Sequence, residues 1–400
     1  MAKNHFVLFD GEERSSLLPF TYTRAICDIR IGILRIQEKW NLFLGQDCSV
    51  FSHQNLQLKY PFTVQSNMIF INAAVLPDLS IIESIINLPI GHSLVNDSGK
   101  VIALNPDNHI STLNHLHILS KTSPKIKYSH AFTSITHPWD IFTHNGAQIQ
   151  SDVKLMKLEP NGHLLEKDNK VLHPENIYIE EGAQALWSML NADKGPIYLG
   201  KHSEVMEGAI IKGNTAICEH SSVKMGAKIY GDTTIGPHCK VGGEVGNSVI
   251  FGFSNKGHDG YLGNSVIGEW CNLGADTNNS NLKNNYSSVK SWSYSAGKEI
   301  NTGLQFCGLI MGDHSKCGIN TMFNTGTVVG VSANIYGGNF PPKFIPSFSW
   351  GGSDGLVPYE FEKALETAQK VMERRIIKLS DTDRQILWQV YEDSSIFRKN

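Results

Sequence analysis

Residue 258 is a histidine in the segment Asn255-Lys-Gly-His-Asp-Gly-Tyr-Leu-Gly263. An imidazole that titrates near neutral pH can take a proton from an amine attacking a thioester. Acyl transfer needs little more: a held nucleophile, and donors aimed at the developing oxyanion. Three further histidines, His202, His220 and His238, recur at equal intervals of eighteen residues, and His314 shares their phase. They read as solvated corner residues of a repeat, or as ligands of a three-histidine zinc site. Asn278, Asn279, Asn281, Asn284 and Asn285 form an amide-rich loop that could bind sugar hydroxyls or simply be polar. Seven cysteines are present, an odd number with no CxxC pair. They read as reduced thiols of a cytoplasmic protein, not a disulfide framework or a thiolate zinc site.

The element that must carry His258 is a repeat. Leu199, Val205, Ile211, Ile217, Val223, Ile229, Ile235 and Val241 are spaced by six. So are Met311, Cys317, Phe323, Val329 and Ile335, and between the runs Tyr261, Ile267 and Leu273. Two residues before most of these stands a small one, such as Ser203, Ala209, Thr215 or Ser221. Six is a multiple of two, so every marked residue faces the same side of a strand. A fixed short period sustained over so many turns predicts a solenoid, here a parallel β-helix over about residues 199–335. An ordinary antiparallel sheet would not keep one phase so long. The repeated histidines should then stack along one corner, about 4.8 Å apart per layer. The period lapses between Val241 and Tyr261, and His258 lies in that lapse, where an insertion would place a functional loop.

The hexads resemble those of the hexapeptide-repeat acyltransferases, whose coils are left-handed with three hexads per coil. The run from Lys256 through Gly263, then Ile267-Gly and Asn272-Leu-Gly-Ala-Asp-Thr277, is similar to the acetyltransferase half of the GlmU family. Those bifunctional enzymes acetylate glucosamine 1-phosphate with acetyl-CoA and then join the product to UTP. The resemblance maps His258 onto the catalytic base and assigns Lys256, Tyr261 and Asn281 to substrate binding. The family's Asn-Tyr-Asp-Gly reads Asn281-Leu-Lys-Asn284 here, so the acceptor pocket is expected to differ. The resemblance also implies a homotrimer with acyl sites between subunits.

Residues 1–190 lack hexads. His5-Phe-Val-Leu-Phe9 reads as a strand ending on Asp10. Ala25–Trp40 has helical spacing, Met68–Ile71 and Lys100–Leu104 read as strands, and Ile81–Asn87 as a helix. Mixed elements suggest an α/β nucleotide-type domain, although no GxxxxGK[ST] or GxGxxG motif occurs. Leu17-Leu-Pro-Phe-Thr-Tyr-Thr-Arg24 and Pro138-Trp-Asp-Ile-Phe142, fused to the β-helix, resemble a divergent sugar-1-phosphate nucleotidyltransferase of the same GlmU-like group. By that resemblance Gly11 and Arg14 stand for its glycine-rich loop and Arg24 for its lysine. Nucleotidyl transfer needs carboxylates for Mg²⁺. Asp10, Asp97 and Asp140 are candidates, with Asp97 assigned to the metal.

After the coil, Tyr359–Ile377 reads as an amphipathic helix with Phe361, Leu365, Ala368 and Met372 on one face. Asp381 is a plausible N-cap for a last helix. Such helices could cap the coil or clasp a neighbouring subunit. Arg374 and Arg375 either hold a coenzyme A phosphate or face solvent. The expected domains are 1–190, nucleotidyltransferase-like; 197–340, β-helix; and 341–400, a helical extension. A net charge of −3 gives no global field for nucleic acid or an anionic membrane. The N-terminal residues do not read as a signal peptide, and no apolar run reaches the roughly 20 residues of a membrane span. Two other readings remain: a single-activity enzyme whose other half only binds or regulates, and a zinc-binding or assembly scaffold without transfer activity.

Overall fold

The computed structural model describes residues 4–398; Met1–Lys3 of the N-terminal reading lie outside them. The chain divides into two compact units. One comprises Met1–Leu17, Thr23–Ile29 and Leu34–His137; the other Leu18–Tyr22, Arg30–Ile33 and Pro138–Asn400.

The first unit is built on β1 (His5–Phe9), β2 (Ser49–Phe51), β3 (Met68–Asn72), β4 (His92–Val95), β5 (Val101–Asn105) and β6 (Lys125–Lys127), in the sheet order β2-β1-β3-β5-β4-β6. β1 runs parallel to β2 and β3, whereas β5 is antiparallel to β3 and β4. Val7, Phe9, Phe51, Phe70 and Leu116 are buried in one core. Helices α1 (Ile36–Leu44), α2 (Leu79–Ile86) and α3 (Leu113–Thr122) accompany the sheet. Asp78 and Thr112 cap α2 and α3 by accepting the Ile81 and His115 amides.

The helix expected over Ala25–Trp40 is corrected: only α1 is α-helical there. Side chains distant in sequence take the amides a helix would need. Asp10 accepts from Ile26 at 2.8 Å, Asn145 from Gly32 at 2.7 Å and Asp152 from Ile33 at 2.7 Å. Gly32 has φ +77°, which a helix cannot accommodate. The isoleucines of the segment are buried all the same, so apolar spacing reported burial and not helix.

The second unit is a parallel β-helix with walls of six, nine and ten strands. In the first wall Val171, Leu190, Ile211, Ile229, Val245 and Leu262 pair in register. In the second, Ile179, Leu199, Ile217, Ile235, Ile250, Ile267, Met311, Val329 and Ile345 do so. These side chains fill one continuous interior. The small residue two positions earlier also joins the layers. Ser221 Oγ donates to the Gly236 carbonyl at 2.6 Å and accepts from the Cys239 amide at 2.9 Å, and Ser315 does the same with Gly330 and Ala333. At the corners the backbone turns through residues of positive φ, among them His202, His220 and His238 on one corner and Asn214 and Asp232 on another.

Helix α4 (Pro138–Leu155) lies against the second wall. Asn145 donates to the Asp232 carbonyl and accepts from Thr234 Oγ1. A Cβ at Gly146 would stand 1.9 Å from Asp232 Oδ1, so a larger residue there would displace the Asp232 carboxylate.

Three sequence expectations for the coil need correction. It starts with the strand Lys170–Leu172, before residue 197, because the inward positions Val171, Ile179, Ala185 and Leu190 are unevenly spaced. The lapse after Val241 is not a break: Val241 pairs with Lys256, and Lys256 follows Val205, Val223 and Val241 up the third wall. That turn takes fifteen residues where the previous one takes eighteen, so the six-residue phase is lost while the ladder continues. Leu262, not Tyr261, points inward. The larger excursion lies later, after Asn279, and carries an antiparallel hairpin, Lys290–Ser293 with Lys298–Asn301.

Helices α5 (Phe361–Glu373) and α6 (Asp381–Asp393) follow the coil. Phe361, Leu365, Ala368 and Met372 are buried. Ser380, not Asp381, caps α6 by accepting the Asp383 amide at 3.0 Å. Just beyond α5, Arg375 donates to the His238 carbonyl at 3.1 Å, so this end of α5 lies along the coil's side.

Candidate functional site

Each unit contains a cleft. That of the first unit, about 450 Å³, lies at the carboxyl ends of β1 and β3, where parallel strands commonly open a binding crevice. Gly11, Glu12, Glu13, Asn72, Lys100, His117, Lys121 and Lys125 line it. A Cβ at Gly11 would come 2.2 Å from Glu13 Oε2, so a larger residue there would displace the Glu13 carboxylate. Lys100 pairs with Glu13 at 2.9 Å and Lys121 with Glu12 at 2.6 Å.

Of the residues assigned here from sequence, Gly11 alone lines the cleft. Arg14 Nε stands 3.5 Å from Asp10, and Arg24 is 1 % exposed with its charge acting on Asp28. Asp97 is exposed in the β4–β5 turn beside the lining residues Ser98 and Gly99. Asp10 is buried, accepting from Ile26 and from Ser52 Oγ at 2.5 Å; burial raises its pKa despite Arg14. Asp140 belongs to α4 in the second unit. Among the described residues no three His, Cys, Asp or Glu side chains are grouped to hold a metal, and the cleft's two glutamates are neutralised by lysine. The residues present therefore do not fit a preformed Mg²⁺ site. Lys100, His117 and Lys121 escaped sequence reading. The signal available for two of them was α3, whose Thr112 cap stands directly before its apolar Leu113, Leu116 and Leu119.

The cleft of the second unit, about 750 Å³, runs between the third wall and α5. His258, which is exposed, and Gly257 line it together with Asn255, Trp270 and Asn272. Five cations complete the lining: Lys224, Lys240, Lys316, Arg374 and Arg375, with no carboxylate among the lining residues. Desolvation and the like charges of Arg375, Lys224 and Arg374 lower the Lys240 pKa. Burial brings that of Lys316 down to about 8. Such a concentration of positive charge favours a polyanion.

Lys256 does not face this cleft. It is 2 % exposed, in the coil interior. Tyr261 and Asn281 do meet: Asn281 Nδ2 donates to Tyr261 Oη at 2.9 Å and to Asn264 Oδ1 at 2.7 Å. The neighbouring amides finish the first wall. Asn278 Oδ1 accepts from the Tyr261 amide and Asn279 Oδ1 from that of Gly263, occupying strand-edge donors.

The corner histidines stack as expected. Ring centroids are 5.2 Å apart from His202 to His220 and 4.8 Å from His220 to His238, and Phe253, Trp270 and His314 continue the column. Ring nitrogens coordinate in the plane of the ring. Rings stacked within 19° and 12° of parallel cannot converge on one zinc ion. Burial and His220 lower the His238 pKa.

Residues 6–160 match a family model described as sugar nucleotidyl transferase. A bifunctional GlmU protein of Methanocaldococcus jannaschii is 29% identical over 228 residues, 54% of this chain and 46% of that one. A bifunctional sugar-1-phosphate nucleotidylyltransferase/acetyltransferase of Sulfurisphaera tokodaii is 38% identical over 95 residues, 24% of this chain and 23% of that protein. The chain thus spans less than half the length of either curated relative. Among solved structures, a UDP-N-acetylglucosamine acyltransferase of Francisella novicida matches 58% of this chain and 88% of its own, at 13% identity and TM-score 0.30. All seven cysteines of the chain are free and buried. Among the described residues no helix is long and apolar enough to cross a membrane.

Proposed function

We propose that this chain is a two-site transferase of sugar-nucleotide synthesis. The β-helix acetylates glucosamine 1-phosphate from acetyl-CoA, and the first unit joins the product to UTP. The observation that carries the reading is an imidazole, His258, on a cleft lined by five cations and no acid. Coenzyme A brings phosphates to such a field and a thioester to the imidazole. The sugar amine attacks the thioester carbonyl, His258 takes its proton, the C–N bond forms and the C–S bond breaks. The departing thiolate takes a proton and leaves as the thiol. Tyr261 and Asn281, joined by a hydrogen bond, are assigned to the sugar phosphate. In the second reaction an oxygen of the acetylated sugar phosphate attacks the α-phosphorus of UTP and pyrophosphate leaves. The lysine-lined cleft of the first unit supports that assignment.

Met189 and Ile210 stand side by side on the outer face of the first wall, 51% and 41% exposed. These apolar residues support self-association, proposed as a homotrimer. Because both glutamates of the first cleft are already paired with lysine, a second reading is an acyltransferase whose first unit only binds nucleotide. Thiol release from acetyl-CoA and pyrophosphate release from UTP, each measured on the full chain, separate the two. His258→Ala is expected to lower thiol release at least about 100-fold. Activity at the wild-type level would remove His258 from the mechanism.

A further inference from the structure

On the third wall the inward position is held in turn by Ala185, Val205, Val223, Val241 and Lys256. A lysine in this aliphatic column costs desolvation of its charge, which satisfied donors offset in part. Its donors are satisfied. Nζ donates to the carbonyls of Gly242 at 3.3 Å, His258 at 2.5 Å and Asp259 at 3.0 Å, one acceptor for each of its three protons.

The corner that follows is built around this contact. In the layers of Val205 and Val223 the corner turns through a glycine of positive φ three residues on, Gly208 and Gly226, and in that of Val241 through Gly243, two residues on. Here the chain takes Gly257-His258-Asp259 and reaches its positive-φ glycine, Gly260, four residues after Lys256. Gly243 lies beneath: a Cβ there would stand 2.9 Å from the His258 carbonyl oxygen and 2.7 Å from that of Gly260, and its φ is +74°. Space below the corner and a cation inside it thus both act on the His258 carbonyl, that of the His258–Asp259 peptide.

We propose that Lys256 is a positioning residue for acyl transfer: its ammonium, held inside the coil, fixes the His258 and Asp259 carbonyls and so fixes where the His258 imidazole stands over the cation-lined cleft. The proposal rests on His258 acting as the base. Lys256 takes no part in the chemistry and does not meet the substrate. Positioning errors of about 1 Å can cost about 100-fold in rate, so an internal brace one side chain away from the base has leverage on kcat.

The test replaces Lys256 by methionine, which matches its length and suits an aliphatic column. Full-length Lys256→Met is compared with wild type by amide hydrogen exchange and by thiol release with acetyl-CoA and glucosamine 1-phosphate. The expected result is at least about tenfold faster exchange at residues 257–260, with exchange in the strands Ser222–Val223 and Lys240–Val241 unchanged. With it, kcat falls about tenfold or more while KM for acetyl-CoA stays within about twofold. Lys256→Gln, which keeps two donors on a shorter arm, should fall between, and it carries the same reading should the methionine variant fail to fold. Unchanged exchange at 257–260 overturns the proposal whatever the activity. Looser exchange with unchanged kcat also overturns it, since the brace would then not serve catalysis. The two readings fail separately: a fully active His258→Ala removes the base, whereas the exchange comparison bears on Lys256 alone.

Discussion

The two clefts use their cations differently. In the first unit Lys100 and Lys121 each meet a glutamate. In the β-helix five cations line one cleft, and no acid stands among the lining residues. A lysine already paired gives up one partner to take another, so its net contribution to binding an anion is small. Cations left without acids repel one another, and a polyanion relieves that repulsion on binding. Three lysines line the first cleft and five cations the second; compensation widens that difference.

The largest expected effect tests the uncompensated cleft. Lys240→Ala combined with Arg374→Ala, two exposed residues, should raise KM for acetyl-CoA by about 10- to 100-fold with kcat nearly unchanged. The wild-type KM should also rise steeply with added salt. A salt-independent KM would break the contrast. In the compensated cleft, the main effect of Lys100→Met should fall on stability. It strands the buried Glu13 carboxylate beside Asn72, costing about 1–3 kcal/mol, read as a lower denaturation midpoint. UTP affinity, measured by calorimetry, should change less than about threefold.

The smallest effect concerns pH. Burial lowers the Lys256 pKa from 10.5 to about 8. Below pH 8 both folded and unfolded chains carry the proton, and the folded state bears the desolvation cost. Between pH 8 and 10.5 the unfolded chain holds more protons, so wild-type stability rises with pH relative to a variant lacking this group. Any stability advantage of Lys256→Met should therefore shrink across that window, in paired thermal melts. A constant difference would show that Lys256 does not titrate there.

Sequence revealed the coil because six-residue phase is local and survives translation into structure. It did not reveal that the coil continues through Lys256, because a turn shortened by three residues keeps its ladder while losing its count. His258 was legible as a residue outside the register. Arg374 and Arg375 could be named, but not their company: Lys224, Lys240 and Lys316 converge with them only after the coil folds and α5 lies along it. In the first unit the cleft's lysines sit on elements whose meeting depends on strand order, which residue patterns do not encode. Ala25–Trp40 misled for a related reason. Its apolar spacing was genuine, but its amides are claimed by Asp10, Asn145 and Asp152.

The short segments Leu18–Tyr22 and Arg30–Ile33 belong to the β-helical unit, although the residues around them belong to the other. During synthesis they leave the ribosome before the wall that receives them exists. Gly32 must wait for Asn145 and Thr234, more than a hundred and two hundred residues downstream. The contacts that fix Gly32 therefore form only after Asn145 and Thr234 of the same unit have been made.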